Sequence, residues 1–494
     1  MMDYLNNIDL DSVKIIDKSE YPTKAAKDSK VTEDINYLFD RLNIGNGAVL
    51  SFHHHLRNGD RVLNLIMGEV QKRGIKDITL VASSLFPSHK DLIPMLKDGT
   101  IKNIVTSYIS GELGEAISYG ELKGTIIMQS HGGRARSILN GEINIDVAFI
   151  ASPSSDSKGN ISGVNGVNSC GTLGYAIADS MMAKKVVSIT DSLVDYPNYP
   201  ADITEDYVDY ILKVESIGLK SGIVSGTTVI TKDPIGLKIA RDTLNVMEAS
   251  GLLKEGMSFQ SGAGGISLAV TSFLRDYMIE NNIKGSFASG GITGYLTDML
   301  EEGLFHSLFD VQCFDLKAIE SLKKNSNHLR MSASQYGNPE VSAVVDNLDV
   351  VILGATEIDT NFNVNVSTGS HGLLMGGSGG HQDTAAGSKL SIIVSKLFSS
   401  RIPLIKDKVD VITTPGSTVD VLVTERGICV NPLRQDLIQL FKEANLDIID
   451  INELKDYSEK IMGVPKPIEK TERVIGFSEY RDGRILDYIY EVKK

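Results

Sequence analysis

Cysteine is scarce in this sequence: Cys170, Cys313 and Cys429 stand far apart and form no C-x-x-C pair. Neither a disulfide framework nor a thiolate metal site is expected, and the pattern suits the reducing cytoplasm. Long apolar runs are absent too. No 18 apolar residues follow one another, and the N-terminus "MMDYLNNIDLDSVKIIDKSE" is acidic and lacks an apolar core. The chain is therefore expected to be neither secreted nor membrane-spanning. Positive charge is in deficit, with 49 Lys and Arg against 63 Asp and Glu and a net charge of −14. Sequence-independent nucleic-acid binding needs clustered cations that displace counterions, so it is not expected. Any anionic ligand must instead find a local basic pocket.

What is present is a folded-protein composition, 42% hydrophobic and 23% charged over 494 residues. That length exceeds the ~250–300 residues at which one core stops growing, so two domains are expected. Residues 1–40 read as a polar arm with a helix in "VTEDINYLFDRLN", Thr32 serving as its N-cap. Short β-branched runs then alternate with helical stretches: "GAVLSF", "RVLNLIMGEVQKRG", "DITLVAS", "KDLIPMLKDG", "KNIVTSY". Further strands are expected at "GTIIMQS", "IDVAFIAS", "VVSITD" and "SGIVSG". Such alternation indicates βαβ units and a parallel sheet covered on both faces. The Pro-Gly turn in "TTVITKDPIGLKIAR" marks the boundary between a first domain, 41–232, and a second, 233–494.

The second half repeats the first. "GMSFQSGAGGISLAV" from Gly256 matches "GAVLSFHHHLRNGDRV" from Gly47, and "NLDVVILGATEIDTNFN" from Asn347 matches "NIDVAFIASPSSDSKGN" from Asn144. An internally duplicated, mostly parallel α/β domain accounts for this. Ligands of open α/β sheets lie at the carboxyl ends of strands, so the candidate residues are those in the loops just after them.

Glu357, after a buried strand, could be a nucleophile or base, although an ion pair or helix cap is the commoner use of such a carboxylate. The "GGSGGH" run places Gly376, Gly377, Ser378, Gly379, Gly380 and His381 where backbone N–H groups can face an anion or oxyanion; tight turns use the same residues. In "QSHGGRARS", His131, Arg134 and Arg136 suit carboxylate capture, or simply begin a solvated helix. Asn165 and Ser169 precede a further helix, a place for an anion. His53, His54 and His55 on adjacent positions point apart, which is poor zinc geometry, and no H-E-x-x-H accompanies them. No metal is expected. Beside Arg57 they read as donors to an anionic substrate.

Taken together, "LSFHHHLRNGD", "HGGRARSI", "IDVAFIASPSSDSKGN" and "GGSGGHQDTAAGS" resemble the alpha subunit family of bacterial citrate lyase, over essentially the whole length. More broadly the chain is similar to acetate and 4-hydroxybutyrate CoA-transferases and acetyl-CoA hydrolases. The resemblance implies two domains of the CoA-transferase fold. It implies an exchange in which acetyl-carrier plus citrate gives citryl-carrier plus acetate, and a separate beta subunit then cleaves the citryl-carrier. The thiol belongs to a phosphoribosyl-dephospho-CoA group on an acyl carrier protein (gamma) subunit, with acetyl-CoA as a substitute, and no cofactor is bound by this chain. A homo-oligomer within a multisubunit complex is implied as well.

In the broader relatives the glutamate matching Glu357 forms a glutamyl-CoA thioester. Here Thr356 replaces an aliphatic residue and "GGHQDT" stands where they have a "GGQVDF"-like run. Citrate lyase transferases are grouped with ternary-complex enzymes, and the role of Glu357 stays open between the two. On this reading His53–His55, Arg57, His131, Arg134 and Arg136 hold citrate. Asn165, Ser169, Gly376, Gly377, Ser378 and His381 face the thioester, and the Gly379 and Gly380 amides stabilise the oxyanion. The alternatives are a transferase or hydrolase acting on free CoA through Glu357, a ligand sensor of the same fold, and a sugar-phosphate isomerase.

Overall fold

The computed structural model describes residues 29–224, 229–399 and 402–494. Two large sheets dominate. Edge to edge, the first runs Val31–Thr32, Tyr210–Lys213, Lys185–Thr190, Val147–Ser152, Val49–Phe52, Ile78–Ala82, Ile101–Thr106, Ile126–Met128, Lys470–Glu479 and Ile485–Val492. The second runs His328–Arg330, Phe305–Cys313, Gly285–Ile292, Ser258–Ser261, Val350–Leu353, Leu390–Val394, Val421–Thr424 and Gly427–Val430. Antiparallel pairing in them is confined to the two closing hairpins, 421–430 and 470–492. The central strands, VAFIAS, VVIL and LSIIV, are buried on both faces, as runs this apolar require.

The duplication is visible in the strand order. Reading from 210–213 to 126–128 in the first sheet reproduces, strand for strand, the order from 421–424 to 328–330 in the second. Equivalent side chains do equivalent work. Asp146 accepts from the Val49 amide at 2.8 Å and pairs with Lys184 at 2.7 Å; Asp349 accepts from the Ser258 amide at 2.8 Å and pairs with Lys389 at 2.7 Å. Further on, Asp156 takes the amides of Lys158, Gly159 and Asn160 and the Asn160 carboxamide. Asp359 likewise takes the amides of Asn361 and Asn363 and the Asn363 carboxamide. The repeated Asp-x-x-x-Asn spacing is thus a turn lock built twice.

Three expectations are corrected. The chain from 233 does not stay with the second sheet: Lys470–Glu479 pairs in parallel with Ile126–Met128, so the C-terminal hairpin completes the first. The first helix, Ile35–Leu42, is capped by Asp34, whose carboxylate accepts from the Asn36 amide, because Thr32 is taken into the sheet beside Leu212. Of "SGIVSG", Ser221–Ile223 lie in a 3₁₀ turn, Lys220–Ile223, because Gly222 packs against the Gly59 backbone; residues 225 and 226 lie outside the described residues, as does most of the arm. No helix among the described residues is long and apolar enough to cross a membrane.

The turn locks are testable. Asp156→Ala strands several buried donors, each costing about 1–3 kcal/mol when unpaired, so it should lower the unfolding free energy by at least about 2 kcal/mol in denaturant titration. A loss below about 0.5 kcal/mol, the scale of an ordinary surface change, would contradict the lock.

Candidate active site

A cavity of about 380 Å³ opens where the carboxyl ends of strands from both sheets meet. Its volume falls in the range of small-molecule sites, about 300–1,000 Å³. The first half contributes His54, Arg57, Ser84, Phe86, Tyr108, His131 and Tyr175. From the second come Gln260–Gly264, Gln312, Phe314, Tyr336, Gly354 and Ser378–His381. The loops after the duplicated strands Val49–Phe52 and Ser258–Ser261 therefore face the same space, as their position in the repeat predicts.

Arg57 is the cation of this cavity. It has a left-handed backbone, φ 51°, unusual outside glycine and expensive enough to call for a reason. The turn aims its guanidinium between two rings, 4.8 Å from the Phe314 centroid and 5.8 Å from that of Phe86. Among the described residues no carboxylate pairs with it, and Nη1 is buried without a hydrogen-bond partner. Aromatic faces stabilise a desolvated cation by about 2 kcal/mol and leave its N–H groups free for an anion.

The histidines are not positive. His54 stacks on Tyr175 at 4.7 Å and on His131 at 5.8 Å, and its Nδ1 meets Ser83 Oγ at 2.6 Å. His53 and His55 hydrogen-bond to each other through Nδ1 atoms, with the His55 ring packed on Tyr175, so they support the wall rather than line it. Burial lowers His53 to about 4 and His131 to about 3, and drives His54 and His55 well below the usual 6.5. Neutral rings are donors or acceptors, not charges. His54 and His131 are the two that reach the cavity.

Several expected ligands are employed elsewhere. Arg134 forms a two-pronged buried pair with Asp179, both contacts 2.9 Å, and Arg136 binds Glu142 at 2.9 Å and the Arg481 carbonyl at 3.1 Å. Neither can capture a substrate without abandoning a buried carboxylate or carbonyl. Asn165 donates to Asn198, and both Asn165 and Ser169 lie off the cavity, because the loop that carries them folds against 191–198. In the glycine run, Gly376 and Gly377 allow close approach to the carbonyls of Val366 and Ser107 but do not line the space. The Gly379 amide donates to the Ser107 carbonyl at 3.1 Å, which removes it as an oxyanion donor; the Gly380 amide has no protein acceptor among the described residues. His381 is held at both nitrogens, by Thr414 Oγ1 and the Gly354 carbonyl, and burial lowers it to about 4. Glu357 does not line the cavity; its Oε2 accepts from Asn365 at 3.0 Å and the Asp410 amide at 3.1 Å, with Lys406 4.0 Å from Oε1.

Sequence reasoning missed the residue that joins the two halves here. Asp383, inside the quoted "GGHQD", accepts from Ser130 Oγ at 2.7 Å and the Gly132 amide at 2.9 Å, while the His131 amide donates to the Gly379 carbonyl at 2.8 Å. His131 is thereby aimed by the other half of the molecule. Also missed were Tyr175, Tyr336, Gln260 and Gln312, although Gln260 stands in the stretch quoted for the repeat and Tyr175 in the helix that follows Asn165 and Ser169. Buried Asp310 and Cys313 of the strand Phe305–Cys313 come together with His328 of the neighbouring strand His328–Arg330 in a metal-like grouping. Burial pushes the Cys313 thiol up, so it stays protonated and donates to Asp310 at 2.9 Å, and Thr172 Oγ1 donates to the same carboxylate at 3.1 Å, a hydrogen-bonded buttress.

These pKa displacements fix how stability responds to acid. His53, His131 and His381 sit near 4, 3 and 4 when folded against 6.5 otherwise, so the unfolded chain binds protons first as pH falls below about 6.5. Burial raises Asp383 to about 6 and also raises Asp202, Asp420 and Glu479, which opposes the trend at lower pH, but five buried histidines, His54 and His55 included, cost stability over the same interval. The thermal unfolding midpoint should drop steadily from pH 6.5 to pH 4.5. A flat or rising midpoint would contradict neutral burial of the cluster.

Comparison with known proteins agrees with this architecture. The family model "Citrate lyase, alpha subunit" matches residues 28–492. The citrate lyase alpha chain of Klebsiella pneumoniae is 47% identical over 465 residues, 94% of this chain and 92% of that one. That of Escherichia coli is 46% identical, covering 97% of this chain and 94% of its own. A Streptococcus mutans structure, described as a citrate lyase alpha subunit in complex with citrate, superposes with a TM-score of 0.93 at 45% identity, covering 96% of this chain and 93% of that one. A malonate decarboxylase hetero-tetramer from Pseudomonas shares only the fold, with a TM-score of 0.66 at 16% identity. On a match that spans nearly every residue, the chain belongs to the citrate lyase alpha subunit family.

Proposed function

We propose that this chain is the citrate CoA-transferase of a cytoplasmic citrate lyase complex, and that it works through a ternary complex with no covalent enzyme intermediate. The observation that carries the reading is the unpaired Arg57 guanidinium facing a glycine loop across one cavity. Citrate brings about three negative charges at neutral pH, carboxyl groups titrating near ~3–6. In a protein of net charge −14 a cation kept free of carboxylates is a site for such an anion. The citrate found in the Streptococcus mutans relative supports the same ligand here.

His54 and His131, neutral, add hydrogen bonds to citrate without competing for its charge. The acyl donor is the acetyl thioester of the phosphoribosyl-dephospho-CoA group on the acyl carrier subunit, or acetyl-CoA in its place. A citrate carboxylate attacks the acetyl carbonyl, the thiolate leaves, and acetyl-citryl anhydride forms. The thiolate then attacks the citryl carbonyl of this mixed anhydride and acetate departs. Each attack creates an oxyanion beside the Gly380 amide, a kind of contact worth roughly 3–4 kcal/mol per donor in acyl transfer. The citryl-carrier passes to the beta subunit.

Glu357 favours this route over the glutamyl-thioester alternative, because one of its oxygens is already bound by Asn365 and the Asp410 amide and the residue does not line the cavity. The test is trapping. Incubated with acetyl-CoA alone and quenched with hydroxylamine or borohydride, the chain should yield an unmodified Glu357 peptide by mass spectrometry, while acetyl-CoA plus citrate yields citryl-CoA. Modified Glu357 would sink the ternary mechanism, and no citryl thioester, even with the carrier subunit present, would sink the function.

A further inference from the structure

We propose that Tyr336 is a catalytic residue of the transfer, its hydroxyl acting with the Gly380 amide as the oxyanion-stabilising pair; this rests on the acyl-transfer reading above. Two amides of the glycine loop, Gly379 and Gly380, would be the natural pair. Gly379 is unavailable, its N–H committed to the Ser107 carbonyl at 3.1 Å. A second donor must come from elsewhere, and one is in contact with Gly380.

Tyr336 lies on the short helix Ala333–Gly337, its ring buried and its edge on the cavity. A Cβ on Gly380 would stand 2.1 Å from Tyr336 Oη, so the glycine backbone and the phenol oxygen touch, and only glycine fits between them. The phenol oxygen accepts from Gln260 Nε2 at 2.8 Å, and Gln260 Oε1 in turn accepts from Ser289 Oγ at 2.9 Å. With Gln260's acceptor end taken by the serine, its donor end meets the tyrosine. The tyrosine's own hydrogen is left to seek another acceptor, and none is found for it among the described residues. Burial, reinforced by Asp383, raises the phenol's pKa, so at neutral pH it remains a donor.

The chemistry needs such a donor twice. When the citrate carboxylate oxygen bonds to the acetyl carbon, the carbonyl electron pair moves to oxygen; collapse breaks the C–S bond and expels thiolate. When thiolate bonds to the citryl carbon, a second oxyanion forms, and its collapse breaks the C–O bond and expels acetate. Tyr336 gives a hydrogen bond in both steps and transfers no proton, so nothing further is consumed. Gln260 is a positioning residue that turns the hydroxyl toward the substrate.

Tyr336→Phe keeps the ring and removes only the donor. In the full chain assayed with acetyl-CoA and citrate, kcat should fall about tenfold or more, the loss seen for single oxyanion donors being about 100–1,000-fold, with citrate KM within about threefold of wild type and an unchanged unfolding midpoint. A kcat loss below about tenfold, or an equal loss carried by citrate KM, would overturn the proposal. Should that variant not fold, Gln260→Met replaces it, with a kcat loss beyond about threefold at unchanged citrate KM expected and an unchanged kcat contradicting. Failure of the wild-type chain to form citryl thioester would strike the transfer reading and the role of Tyr336 with it, whereas a wild-type chain that transfers and a Tyr336→Phe chain that transfers equally well would strike the role of Tyr336 alone.

Discussion

Arg57 carries a positive charge into a partly dry cleft where no carboxylate meets it among the described residues, and the architecture around it keeps it so. A protein with 63 acidic side chains could have neutralised it easily. Instead Arg134 and Arg136 are each given a carboxylate of their own, Asp179 and Glu142, while Arg57 is given only aromatic faces. The histidines around it are held neutral by burial, so they do not repel the guanidinium. One uncompensated charge in a low-dielectric setting attracts more strongly than several exposed ones.

The cleft exists because one fold was used twice. Equivalent strands bring equivalent loops to one space, and divergence has made one loop a cation clasp and its counterpart, 262–264, a glycine-rich wall. Holding two such halves in register needs contacts that cross between them. Asp383 supplies them with Ser130 and Gly132, and the C-terminal hairpin adds a covalent return, since the strand at 470–479 leaves the second half to finish the first sheet. Catalytic geometry built across a junction is only as good as that junction, which is why the same few residues both join the halves and aim His131.

Much of this was legible in the sequence. Buried strands declared themselves by apolar runs, and the repeat by Asn-x-Asp-Val followed by Asp-x-x-x-Asn. The loops after strands point to His54, Arg57, His131 and Gly380, and the structure brings these four to one cavity. What was not legible was commitment. A sequence shows that Arg134 and Arg136 can bind carboxylates, but not that Asp179 and Glu142 bind them first; it shows Gly379, but not that its amide is spent on Ser107. Nor could spacing show the C-terminal hairpin rejoining the first sheet, because strand pairing across some 350 residues leaves no local pattern. Tyr336 and Gln260 were invisible for the same reason: their chemistry comes from a contact between distant segments.

On the proposed mechanism the two halves divide the work, with anion capture on one wall and oxyanion stabilisation on the other. Everything in that account depends on citrate binding to the free guanidinium. The direct measurement is citrate affinity by titration calorimetry on the wild-type chain and on Arg57→Met, which preserves an unbranched side chain without charge. The account predicts at least about tenfold weaker binding, the effect of about 1.4 kcal/mol, with an unchanged unfolding midpoint. Equal affinity in the two proteins would contradict it.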